Sequence, residues 1–124
     1  MTVKLLPFDN KSELQVVLDL PEGSSLEATE RALMETARRI HAIPEMTDLQ
    51  IYVGTAAPFN FNGLVRHYYL RRQPWQGDIQ VNLRPKGERS RQSHAIALDI
   101  RRRLADMALP AGTDLKVVEV PPGP

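Results

Sequence analysis

Apolar and polar residues alternate through residues 13–20, with Leu14, Val16, Leu18 and Leu20 on one side. A period of two predicts a strand buried on one face. Pro21 and Gly23 break the pattern, and Ser24 with Glu27 has the spacing of a capping box that opens a helix. Leu26, Leu33, Ala37 and Ile40 then recur on one helical face, with Thr29 and Ala32 beside that stripe, until Pro44 ends it. Residues 46–53 carry Leu49, Ile51 and Val53 in alternation and predict a second strand. Ile79, Val81 and Leu83 predict a third, which ends at Pro85 and Gly87. Ser93 is the expected cap of a second helix that turns Ile96, Ile100, Leu104 and Met107 inward and stops at Pro110 and Gly112. Leu115, Val117 and Val120 form the last strand before Pro121 and Pro122.

The resulting order, β-α-β-β-α-β, is the split βαβ or ferredoxin-like arrangement of the α+β class. It predicts a four-stranded, largely antiparallel sheet with two helices on one face. One stretch exceeds what the minimal fold needs. Residues 54–77 join the two middle strands, and connections beyond about 12–15 residues are uncommon in compact domains and usually functional or disordered. This one holds Phe59, Phe61, Tyr68, Tyr69 and Trp75, five of the chain's seven aromatic residues, which argues against simple disorder. Leu64, Val65, Tyr68 and Tyr69 have the spacing of one face of a short helix. The functional search therefore concentrates here.

Composition narrows the classes of function. The 124 residues suffice for one domain with a modest core, and 42% hydrophobic with 25% charged residues is ordinary for a globular protein. A net charge of +1 argues against a dedicated nucleic-acid or membrane-surface binder. With no cysteine, disulfides, thiolate catalysis and cysteine-based zinc sites are excluded. No stretch approaches the ~20 apolar residues of a membrane span, and the first residues lack the apolar core of a signal peptide. The ending VPPGP reads as the edge of a segment cut from a larger protein at least as well as a natural terminus.

Among local constellations the sharpest is PFNFNG, comprising Pro58, Phe59, Asn60, Phe61, Asn62 and Gly63. Two phenylalanines interleaved with asparagines either pin the connection to the sheet or present an apolar surface with polar handles. Arg66, His67, Arg71 and Arg72 follow it, and Arg84, Lys86, Arg89 and Arg91 precede the second helix. A rival reading makes the domain a stand-alone binder of single-stranded nucleic acid, with Tyr68, Tyr69 and Trp75 stacking on bases. RNA-recognition domains of this fold place their aromatics on the central strands, however. LQIYVG and DIQVNL offer only Tyr52. Solvated surface, or salt bridges to neighbouring subunits, is the preferred reading of these cations. Arg101, Arg102 and Arg103 fall in the last turns of a helix, where cations complement its dipole. His41, His67 and His94 lack metal-ligand spacing, and Asp19, Asp48, Asp78, Asp99 and Asp114 show no partner set. No catalytic residue, metal ligand or cofactor is expected.

Four phrases in order carry a family resemblance: FDNKSELQVVLDLPEGSSLEATERAL, GTAAPFNFNGLVRHYYLRR, DIQVNLRPKGERSRQSHAIALDIRRRL and KVVEVPPGP. Together they resemble the first porter subdomain in the second periplasmic loop of resistance–nodulation–division (RND) efflux pumps of the AcrB-like type. The resemblance spans nearly the whole chain from about Val3 and implies a ferredoxin-like porter subdomain excised from a proton-driven inner-membrane exporter, on the periplasmic side. It implies a homotrimer, a periplasmic adaptor, an outer-membrane channel and a small-molecule substrate as partners, besides the other subdomains of the same pump. No nucleic acid is among them. Residues 55–63 correspond to the family's switch loop, with Phe59 and Phe61 as the substrate-facing side chains. The family's drug exporters tend to a glycine-richer phrase, and LVRHYYLRR departs from it. The heavy-metal branch passes copper or silver along methionines, but Met1, Met34, Met46 and Met107 all lie outside the PFNFNG segment. Soft-metal transport is therefore disfavoured.

Overall fold

The structure is a computed structural model that describes residues 12–54 and 73–120. Pro58, Phe59, Asn60, Phe61, Asn62 and Gly63 lie outside the described residues, as do Arg66, His67, Tyr68, Tyr69, Arg71 and Arg72. Strand β1 (Ser12–Asp19) is followed by helix α1 (Leu26–Ile40), β2 (Met46–Val53), β3 (Gln76–Leu83), a 3-10 turn (Lys86–Glu88), α2 (Ser93–Leu104) and β4 (Asp114–Val120). The sheet order is β2-β3-β1-β4, and every neighbouring pair is antiparallel. This is the ferredoxin-like α+β topology expected from the periodicities. The crossover from β1 through α1 to β2 leaves a gap that β3 fills, so the first and third strands form the centre.

Leu14, Val16 and Leu18 of β1, Ile79 and Val81 of β3 and Val117 of β4 meet Leu33 and Ile40 of α1 and Ile96, Ala97, Ile100 and Leu104 of α2. Each alternate strand residue is apolar and faces the helices, as a period of two requires. Gly77 gives room for close packing. A Cβ there would collide with the Leu33 side chain and approach the Tyr52 carbonyl oxygen to 3.1 Å.

Three local expectations are corrected. The cap of α1 is Ser25, whose Oγ accepts from the Ala28 amide at 3.0 Å. Ser24 is not free for that role, because its hydroxyl donates to Pro21 O at 2.6 Å and closes the preceding turn. Leu26 is exposed, while Thr29 and Thr36 are buried in the α1 stripe. Each threonine hydroxyl donates to a carbonyl four residues back, which lets it enter an apolar face without an orphan donor. Finally, α2 is capped by the Gln92 backbone, since the Ser93 hydroxyl is turned to Glu119 Oε1 at 3.3 Å.

Candidate functional site: the sheet end and its polar face

The long connection leaves β2 and re-enters β3 at one end of the sheet, and the described residues there form a closed neck. The Gly54 amide donates to Gln76 O at 2.7 Å, and the Gln73 amide donates to Gln76 Oε1 at 3.1 Å. Gly54 has φ of +68°, a left-handed conformation natural to glycine, and a Cβ there would meet Leu26 Cδ1 at 3.1 Å. The Leu20 amide donates to Trp75 O at 2.9 Å, and half-buried Trp75 packs against the core. The exit of β1, the start of α1 and both ends of the connection are thus fastened together. Of the aromatics that the sequence places in residues 54–77, Trp75 is the one among the described residues, and it is an anchor at the base.

The side chains between the core positions make the second sheet face. The register sets Gln50, Gln80 and Gln15 in one row across β2, β3 and β1. The row on one side is Tyr52, Asp78 and Val17, and on the other Asp48, Asn82 and Glu13. Gln80 Nε2 donates to Asn82 Oδ1 at 3.2 Å, and Asn82 Nδ2 donates to Asp48 Oδ2 at 3.1 Å. Gln15 is fully buried, and among the described residues neither its amide oxygen nor its amide nitrogen has a hydrogen-bond partner, nor has Gln80 Oε1. A buried amide without partners carries a desolvation cost, so this row holds unspent hydrogen-bonding capacity. Among the described residues the central strands bring no aromatic residue to this face, and the exposed Asp48 carboxyl disfavours a phosphate backbone.

A second polar cluster lies on the helix side. Arg91 donates from Nε and Nη2 to both oxygens of Glu45 at 2.8 Å each, and from Nη1 to Asp99 Oδ2 at 2.9 Å. Arg103 Nε donates to Asp99 Oδ1 at 2.9 Å. Arg91 hydrogen bonding lowers the Glu45 pKa against a smaller opposing effect of burial. For Asp99, burial acts upward, but Arg103 and Arg91 together hold the carboxyl below its ordinary range. The Arg91 pKa is raised by the two carboxylates. Arg91 and Asp99 therefore correct the reading that gave the aspartates no partner set and Arg91 a solvated or intersubunit role. Their partners come from this chain: Glu45 lies 46 residues from Arg91, whereas Asp99 is 8 residues from Arg91 and 4 from Arg103. Arg101 also has a local role, with Nη2 donating to Val117 O at 2.9 Å across to β4.

Among the described residues no group of three histidine, aspartate or glutamate side chains is placed to hold a metal ion, and no helix is long and apolar enough to cross a membrane. No family model and no curated protein matches the chain. A solved dimeric ferredoxin-like protein of unknown function from Thermobifida fusca is similar, with 14% identity over 91% of this chain and 94% of that chain and a TM-score of 0.43. At that distance it adds nothing to the topology already described.

Proposed function

We propose that this chain is a periplasmic porter subdomain of a proton-driven RND exporter of drugs or other small molecules. The observation that carries the reading is the sheet-end neck: the connection that resembles the family's switch loop starts and finishes at Gly54 and Gln76, which are hydrogen-bonded to each other. The split βαβ order, which the resemblance implies for a porter subdomain, supports it as well. In this reading the sheet and helices move as one block. The cleft beside residues 55–63 opens and closes as the block tilts, and substrate passes toward the exit channel. Chemistry is not required of the subdomain, only a rigid body and a path-lining loop.

The reading frame around the segment tests this. Spans of about 20 apolar residues are expected on both sides, with further porter-like sequence beyond residue 124. A start at Met1 together with a stop just after Pro124 would overturn the exporter reading.

A further inference from the structure

The outward face of α1 bears a stripe that no neighbour among the described residues covers. Glu27, Glu30, Met34, Arg38 and His41 run along it, and Ala37 and Leu49 of β2 form the floor of the adjoining groove. Met34 is 55% exposed and Arg38 71% exposed along its side chain. The stripe is charge-ordered about its centre. Glu30 and Arg38 stand four residues to either side of Met34.

We infer that this face docks a second copy of the same chain, α1 against α1 in antiparallel orientation, with the two-fold axis at Met34. Rotation about that axis lays Glu30 over Arg38 of the second copy, a contact that occurs twice as a symmetric interface demands. Met34 meets its own counterpart at the centre, where the small Ala37 lets the helices approach. Arg31 falls opposite Ala37 of the second copy, which leaves it room to reach solvent. The partner is identified by charge complementarity. The acidic half of the stripe repels nucleic acid, and one large apolar side chain is too little to hold a membrane. Arg38 Nε and Nη2 already donate to the Glu35 carboxylate at 2.6, 2.7 and 3.1 Å, but an exposed pair three residues apart is weak, and Nη1 makes no hydrogen bond among the described residues. This contact is independent of the exporter reading.

One helix stripe buries less than the roughly 1,200–2,000 Å² of a standard interface, so the dimer is weak and is best sought at about 0.1–1 mM chain. Sedimentation equilibrium of the full 124-residue chain and of three variants tests it. Glu30→Arg and Arg38→Glu, each alone, convert two attractive pairs into two repulsive ones and should raise the Kd about tenfold. Glu30→Arg combined with Arg38→Glu restores complementarity and should return the Kd to within about threefold of the parent. Added salt should weaken the parent dimer. Circular dichroism should be unchanged in all three, because both side chains are exposed. A monomer at every concentration would overturn the inference, leaving the face to solvent or to a different protein. A dimer indifferent to the single reversals, or not rescued by the double one, would overturn it equally.

Discussion

At the residue scale the informative position is Gln15. It lies at the centre of the sheet between Gln80 and Val118, fully buried, with neither end of its amide hydrogen-bonded among the described residues. A glutamine in that state contributes packing from its stem and a penalty from its head. Gln15→Met keeps the volume and removes the penalty, so it should stabilise the chain by about 1 kcal/mol, seen as a higher urea midpoint with an unchanged slope. Destabilisation of similar size would show that the amide is satisfied in solution. The alternation Leu14-Gln15-Val16 and Ile79-Gln80-Val81 made each glutamine visible as a second-face residue. That they sit opposite each other was not visible. Register between strands so far apart in sequence is decided by the packed core, and a slip of one residue would turn either glutamine to the helices.

At the element scale, the stretch from Arg84 to Gln92 joins a strand to a helix and is held by charge. Arg91 ties it to Glu45, just before β2, and to Asp99 in α2, while Arg89 Nη1 donates to Arg91 O at 2.7 Å. Glu45 and Asp99 are largely shielded from water, so removing the shared cation takes from Glu45 the guanidinium that bonds both its oxygens and leaves Asp99 with Arg103 and Arg102. Arg91→Met should therefore cost about 3 kcal/mol near neutral pH. The pH dependence follows from the lowered pKa of both acids. Their stabilisation is fully present above the ordinary carboxylate range and disappears as pH falls through the lowered folded-state values. Chemical denaturation from pH 7 down to pH 2 should show the parent losing this stability toward the acid end and the variant converging on it. A constant gap between the two proteins across that range would exclude the ion cluster as the cause. The elements themselves were legible, since each had a period and a breaker: Pro21 and Gly23, Pro44, Pro85, Pro110 and Gly112. Their clasp was not, because Glu45 and Arg91 are separated by a strand, a long connection and another strand. Only the closed sheet brings them together. The caps failed for a more local reason: Ser24 and Ser25, like Gln92 and Ser93, are adjacent candidates, and competing bonds to Pro21 O and Glu119 decide between them.

At the scale of the whole molecule, one layer of helices on one sheet makes a block whose parts are fastened in two places. The ion cluster holds the β3–α2 junction, and the neck at Gly54, Trp75 and Gln76 holds the opposite end of β3 to the exits of β1 and β2. A block fastened at both ends transmits a push with little internal yielding, which is what tilting subdomains require under the exporter reading. The same reading divides labour between the block and the connection. Substitutions in the block act through folding, whereas substitutions at Phe59 and Phe61 act on what passes. Replacing both phenylalanines by alanine in the intact exporter should lower resistance to bulky apolar substrates several-fold while membrane protein levels stay equal to the parent. Small polar substrates should be affected less, because they gain little from aromatic contact. Arg91→Met provides the contrast: it should reduce protein level and transport of every substrate together. If the double alanine variant exports bulky substrates as the parent does at equal protein levels, the two phenylalanines do not line the path. If its protein level falls as in Arg91→Met, they are anchors for the connection, the packing role that the sequence left open.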